Sequence, residues 1–215
     1  MMEITEISQI RRHYSLTELS EKTVSNDPFQ QFSLWMEEVI KSKSIDPSAM
    51  VLATADKNAI PNVRVVLLKG MDKEGFVFYT NYGSKKGREL IENPNASLLF
   101  FWKEFERQIR ISGKVSKVSQ KESEDYFYSR PYESRLAAWA SNQSEVIPGR
   151  NFLEERFVEM KKKYEGKEIP LPPFWGGFKL FPNNFEFWQG RENRLHDRIC
   201  YIKENKKWKI IRLAP

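Results

Sequence analysis

Three β-rich runs sit close together early in the chain: Ala49 to Ala55, Val63 to Lys69 and Phe76 to Thr80. The connections carry Asp56-Lys57-Asn58 and Asp72-Lys73-Glu74-Gly75, both rich in turn formers, so this region reads as a meander of three strands. Two more strands follow, Ala96 to Trp102 and Arg107 to Val118, and the tail returns to strands at Phe178, Phe185 to Trp188, Arg198 to Lys203 and Trp208 to Leu213. Helices are inserted between these blocks without regular β-α alternation, which disfavours a doubly wound parallel sheet. Neither a Gly-x-Gly-x-x-Gly turn nor a Walker-type lysine loop occurs. The expected class is α+β: a mainly antiparallel barrel with helices packed outside.

The helices carry their own punctuation. Asn26-Asp27-Pro28 supplies a cap followed by a proline, and Phe29, Phe32, Trp35, Met36, Val39 and Ile40 then recur at helical spacing. Ser84 to Glu92 reads as a short helix closed by Asn93-Pro94. Ser119 and Glu122 form a capping box for a helix running to about Ser129, Pro131 stops it, and Glu133 to Ala140 resumes the pattern. A last helix is expected over Phe152 to Tyr164, with Phe152, Phe157, Met160 and Tyr164 facing inward. Ile169 to Pro173 reads as an extended linker.

Composition narrows the classes further. With 40% hydrophobic residues the 215-residue chain can fill a core. Its longest largely apolar run, Ala96 to Trp102, is far short of the ~20 residues of a membrane span. The start, Met1-Met2-Glu3-Ile4-Thr5-Glu6, has no apolar block, so no secretory signal is expected. One cysteine, Cys200, permits no internal disulfide and fits a reducing compartment; a cytoplasmic protein is expected. The two histidines, His13 and His196, are far apart and no Cys/His cluster exists, so no metal site is expected. A net charge of +6 suits anionic ligands such as phosphate esters. Lys161-Lys162-Lys163 and Lys203 to Lys207 read as solvated surface, and no nucleic-acid role is assigned to them.

Four segments could carry chemistry. In Arg64-Val65-Val66-Leu67-Leu68-Lys69, strand alternation sets Arg64 beside Val66 and Leu68, and Lys69 beside Val65 and Leu67; the two charges are either edge punctuation or ligand contacts. Tyr79-Thr80-Asn81-Tyr82-Gly83-Ser84-Lys85-Lys86 ends a strand, turns at glycine and opens a helix, where free N–H groups and two lysines favour an anion. Tyr126 and Arg130 share a helix face, with Ser134 just beyond, and could hold a second phosphate; surface Tyr–Arg stacking is the plainer alternative. In the segment Trp188 to Arg198, an extended backbone would aim Arg194, His196 and Arg198 at one site, and three cations on one face call for something negative.

With these blocks in this order, the chain resembles the pyridoxine (pyridoxamine) 5′-phosphate oxidases over nearly its whole length, from Arg11-Arg12-His13-Tyr14 to Arg212-Leu213-Ala214-Pro215. The matching blocks include Phe78-Tyr79-Thr80-Asn81, Glu106-Arg107-Gln108, Tyr126 to Pro131, Pro172-Pro173-Phe174-Trp175-Gly176-Gly177, Phe187 to Gly190 and Arg194 to Arg198. The resemblance implies an FMN-binding split β-barrel over residues 26–215, preceded by an N-terminal lid segment over 1–25. It implies a homodimer with FMN at the subunit interface, oxidising pyridoxine 5′-phosphate and pyridoxamine 5′-phosphate with dioxygen. Carried over by matching residues, FMN would meet Arg64, Val65, Val66, Leu67, Leu68, Lys69, Tyr79, Thr80, Lys85, Lys86, Gln108, Gln143, Ser144, Trp188 and Arg198. Substrate phosphate would meet Lys69, Tyr126, Arg130 and Ser134; Arg194 and His196, the implied catalytic pair, would sit at the pyridine ring, with Arg11 and Tyr14 in the lid. Glu145 and Phe101 depart from the family pattern. A flavin reductase on the same fold and a non-catalytic flavin or pyridoxal phosphate carrier are the rival readings.

Overall fold

The structure, a computed structural model, describes residue 9 and residues 12–215; Arg11 lies outside the described residues. Five helices and nine strands are present among the described residues: α1 (Pro28–Lys41), β1 (Ala49–Ala55), β2 (Pro61–Leu67), β3 (Gly70–Met71), β4 (Phe76–Asn81), α2 (Lys85–Glu92), β5 (Asn95–Trp102), β6 (Arg107–Lys117), α3 (Gln120–Ser129), α4 (Tyr132–Ala140), α5 (Arg150–Lys163), β7 (Trp175–Gln189), β8 (Asp197–Glu204) and β9 (Lys207–Arg212). They form one sheet in the order β2-β1-β5-β6-β7-β4-β3, with β8 on β7 and β9 on β8. The β1–β2, β3–β4, β4–β7, β7–β8 and β8–β9 pairs are all antiparallel. The α+β, mainly antiparallel expectation holds.

Local chemistry explains where the helices begin. Asp27 caps α1 by accepting from Phe29 N–H, and Pro28 takes the first helical position, where a missing N–H is harmless. Ser84 accepts from Gly87 N–H to cap α2, and Ser119 accepts from Glu122 N–H to cap α3.

The chain divides into two compact units. One comprises Met1–Pro47, Leu99–Ile111 and Asn184–Pro215. Here α1 buries Phe29, Phe32, Trp35 and Val39, and aromatic edges meet: Phe32 on Phe100 at 5.0 Å, Trp35 on Phe187 at 5.2 Å, Phe29 on Phe185 at 5.2 Å. The second unit, Ser48–Leu98 with Ser112–Asn183, has a core of Phe127, Leu136, Tyr164, Ile169 and Trp175, against which Phe157 and Met160 pack.

Three local expectations are corrected. The tail was expected to hold separate strands at Phe178 and Phe185 to Trp188, but β7 is continuous over 15 residues. Pro182 lies inside this strand, and β6 runs close beside it because Gly113 has no Cβ; one there would lie 2.1 Å from the Phe181 carbonyl oxygen. The strand expected over Val63 to Lys69 ends at Leu67, and Gly70–Met71 is a separate short strand on β4. Phe152 is 40% exposed rather than inward. It stands five positions before Phe157, about 140° around the helix, whereas Phe157, Met160 and Tyr164 share a face.

Candidate active site

A cavity of about 560 Å³ opens in the second unit, lined by residues of β2, β4, α2, α3, α4 and the loop after it, together with Trp175. Of the residues expected to hold a ligand, it gathers Arg64, Val65, Val66, Leu67, Lys69, Tyr79, Thr80, Lys86, Tyr126, Arg130 and Gln143. Asn81, Ala137, Ala138 and Ser141 also line it, and the sequence reading did not single them out.

One wall is aromatic. Tyr79 stacks on Tyr126 at 3.9 Å and on Trp175 at 5.5 Å, and Tyr126 and Trp175 lie within 5° of parallel. Strand register explains the stack: Tyr79 on β4 pairs with Gly177 on β7. A Cβ at Gly177 would come within 2.9 Å of the Tyr79 ring, so the glycine clears the space. Burial pushes the Tyr79 hydroxyl up to about 12, leaving it a neutral hydrogen-bond donor.

The cavity is also strongly cationic, with Arg64, Lys69, Lys86 and Arg130 in its lining and no carboxylate. Arg64 is locked from behind. Its Nη2 donates to Glu89 Oε2 at 3.1 Å, and its Nη1 to Thr54 Oγ1 at 2.5 Å and Leu52 O at 3.2 Å. Glu89, itself buried, also accepts from Thr54 Oγ1 and Asn62 Nδ2. Lys86 Nζ reaches Thr80 Oγ1 at 3.3 Å and Gln143 Oε1 at 3.2 Å. Burial, then the Arg64 charge, lowers its pKa. Arg130 lies 4.7 Å over the Trp175 ring. Its Nη1 is buried with no partner among the described residues, and desolvation lowers its pKa. A buried guanidinium N–H without an acceptor, in one cavity with Lys69 and Lys86 and no lining carboxylate, is the donor set that a phosphate ester would satisfy.

The remaining expected residues fall into smaller groups. Lys85 N–H donates to Ser144 Oγ at 3.1 Å, bringing that expected pair together. Leu68 and Ser134 are half-buried and outside the cavity lining. In the first unit, Gln108 is half-buried on β6, and Tyr14, Trp188 and His196 form an aromatic cluster. Tyr14 sets its edge on Trp188 at 5.8 Å and on His196 at 5.6 Å, while Trp188 and His196 are 4.7 Å apart. Arg191 N–H donates to His196 Nδ1 at 3.0 Å. Nδ1 is therefore the acceptor, and the proton of the neutral ring sits on Nε2. Desolvation, then Arg194, lowers the His196 pKa.

The extended Arg194-His196-Arg198 arrangement is not found. Asn193 and Arg194 take φ of 55° and 61° in a short helical turn, and β8 begins only at Asp197. The negative partner of Arg198 belongs to the chain: Glu186 accepts from Nε at 2.9 Å and Nη2 at 3.1 Å, and it also pairs with Arg110. Glu89 and Glu186, which hold two of the expected cofactor residues, were both missed. The available signal was Glu89 three residues after Lys86, on the same face of α2.

Fold and site define an α+β split-barrel protein whose cationic, aromatic-walled cavity suits a phosphorylated planar ligand. The family described as pyridoxamine 5′-phosphate oxidase matches residues 36–164, and its companion, the pyridoxine 5′-phosphate oxidase C-terminal dimerisation region, matches residues 175–215. The pyridoxine/pyridoxamine 5′-phosphate oxidase of Microcystis aeruginosa is 55% identical over 97% of this chain and 98% of its own length. That of Rubrobacter xylanophilus is 49% identical over 98% and 97%. Among solved structures, PhzG from Burkholderia lata 383, in complex with tetrahydrophenazine-1-carboxylic acid, superposes with a TM-score of 0.87 at 30% identity, covering 94% of this chain and all of that one. A pyridoxamine 5′-phosphate oxidase-related, FMN-binding protein from Nostoc punctiforme shares the fold at a TM-score of 0.70 and 16% identity, covering 90% of this chain and 99% of that one. This chain belongs to the pyridoxamine 5′-phosphate oxidase family of oxidoreductases.

Proposed function

We propose that this protein oxidises pyridoxine 5′-phosphate and pyridoxamine 5′-phosphate to pyridoxal 5′-phosphate with FMN as cofactor. In balanced form, the alcohol and dioxygen give the aldehyde and hydrogen peroxide; the amine, dioxygen and water give the aldehyde, ammonia and hydrogen peroxide. The observation that carries the reading is the unsatisfied Arg130 Nη1 beside Lys69 and Lys86 in a cavity walled by parallel aromatic rings.

FMN, when bound, supplies the two-electron acceptor and its reoxidation by dioxygen. Arg64, Val65, Val66, Leu67, Leu68, Lys69, Tyr79, Thr80, Lys85, Lys86, Gln108, Gln143, Ser144, Trp188 and Arg198 are the residues we assign to hold it, with FMN at the interface of a homodimer. Arg64 and Arg198 enter that role with their geometry fixed by Glu89 and Glu186. Lys69, Tyr126, Arg130 and Ser134 would anchor the substrate phosphate by charge-assisted hydrogen bonds. Arg194 and His196 would orient the pyridine ring. His196 would act there as a neutral Nε2–H donor, because its Nδ1 is occupied by Arg191 N–H. Tyr14, packed on both Trp188 and His196, would exclude water from that side.

Two further readings complete the assignment. The C-terminal dimerisation region supports the homodimer. The buried, unpaired Cys200 fits a cytoplasmic enzyme; no helix among the described residues is long and apolar enough to cross a membrane.

The test is peroxide and aldehyde formation by the FMN-loaded protein. Both 5′-phosphorylated substrates should turn over, and unphosphorylated pyridoxine should lose at least ~10²-fold in kcat/KM, the scale of a lost charge-assisted anchor. A carrier protein would bind flavin and release no peroxide.

A further inference from the structure

We infer that Glu106 is a positioning residue: a buried carboxylate latch that holds the stretch from Arg12 to Leu16 closed over the Trp188–His196 pair. This inference rests on the assignment of Tyr14 and His196 to the substrate side of the site.

Four observations converge on this residue. Glu106 is 4% exposed, and its Oε2 accepts from two successive backbone amides of the N-terminal segment, Ser15 N–H at 3.0 Å and Leu16 N–H at 3.2 Å. Its Oε1 pairs with Arg12 at 3.5 Å. Its own backbone is left-handed, with φ 53° and ψ 37°, a conformation that a non-glycine residue keeps only where its surroundings hold it. Its carbonyl oxygen accepts from Gly190 N–H at 2.8 Å and Gln189 Nε2 at 3.3 Å, at the end of β7. One residue thus grips the N-terminal segment with its side chain and the start of the His196 loop with its backbone.

Tyr14 sits between those two attachments, one residue before the latched amides. Gly190 admits it: a Cβ there would lie 2.6 Å from Tyr14 Cδ1. A second carboxylate repeats the device further on, since Asp197 Oδ2 accepts from Leu19 N–H at 3.0 Å. Hydrogen bonds from backbone amides to a buried carboxylate are among the strong ones, yet a segment held by so few of them opens far below the global unfolding free energy. The arrangement is a closure set by one carboxylate, and Tyr14 reaches the His196 ring only when the latch is made.

The test is amide hydrogen exchange at residues 15 and 16 in the full-length, FMN-loaded protein, read beside substrate kinetics. Glu106→Ala should speed exchange there roughly 10- to 100-fold, the scale of lost charged hydrogen bonds. It should raise KM for pyridoxine 5′-phosphate more than it lowers kcat, with FMN affinity unchanged. Glu106→Gln keeps a neutral oxygen for the two amides and gives up Arg12, so it should restore most of the protection and match Arg12→Ala. Unchanged exchange in Glu106→Ala, or parallel loss of FMN, overturns the latch. If Glu106→Ala does not fold, Ser15→Pro removes one donor and leaves Glu106 intact; continued protection at Leu16 would then overturn it. A wild-type protein that binds FMN but does not turn over substrate would defeat the functional reading, and the exchange measurement would still decide the latch.

Discussion

Replacing Glu89 with leucine strands Arg64. Glu89 is 5% exposed and accepts hydrogen bonds from Thr54, Asn62 and Arg64, while the Arg64 side chain is only 20% exposed. Three lost hydrogen bonds at about 1 kcal/mol each, one of them an ion pair whose cation stays behind in a dry place, give a loss of about 3–5 kcal/mol. For a chain of this size that is a fall in Tm of roughly 6–20 °C. Urea unfolding of the apo-protein at one fixed protomer concentration reads the loss directly, since assembly shifts apparent stability. The double variant Arg64→Leu with Glu89→Leu removes the stranded charge as well, so it should be more stable than Glu89→Leu alone. It should nevertheless bind FMN poorly, because a cation of the cavity is gone. If Glu89→Leu unfolds within 1 kcal/mol of wild type, or the double variant loses as much as the two single changes summed, the locked-arginine argument is wrong.

Other consequences are as concrete. Arg130→Ala should raise KM for the phosphorylated substrates roughly tenfold or more, with kcat less affected. Its stability should stay within about 1 kcal/mol of wild type, since the lost guanidinium leaves one N–H unpaired to begin with. Arg194→Ala should lower turnover by roughly 10²-fold while the protein stays yellow. Gly177→Ala would set a Cβ 2.7 Å from Val118 Cγ2 and 2.9 Å from the Tyr79 ring. It should destabilise by about 1–3 kcal/mol and disturb the near-ultraviolet dichroism of the stack. Because burial and Arg194 hold His196 below its ordinary value of 6.5, the unfolded chain takes up that proton first. The contribution of neutral His196 is therefore complete above pH 6.5 and lost as pH falls below it. Between about pH 7 and about pH 5, wild type should lose more stability than His196→Asn does.

What could be read from the sequence was local. Asp27-Pro28, Ser84 and Ser119 announce three helices because capping is settled within four residues. Tyr79, Lys86, Tyr126 and Arg130 could be named because each sits beside a strand end or on a helix face that short-range spacing defines. The parts that escaped depend on register or on unusual backbone. Glu186 meets Arg198 because β7 and β8 pair with Trp188 opposite Arg198, a registration that neither strand's own sequence displays. Alternation failed at Arg194 because Asn193 and Arg194 turn left-handed, and a strand period assumes that nothing does. The tail misled in the opposite direction: Phe178 and Phe185 to Trp188 read as separate strands, yet they belong to one continuous β7 that Gly113 lets its neighbour follow closely.

The central claim is that the cationic, aromatic cavity sets a phosphorylated B6 vitamer against FMN. It is tested most directly by mixing the purified, FMN-loaded protein with pyridoxine 5′-phosphate in the absence of oxygen and recording the visible spectrum. Loss of the oxidised flavin bands, followed by their full return on admitting air, is the predicted result. Bands that persist under saturating substrate would contradict it.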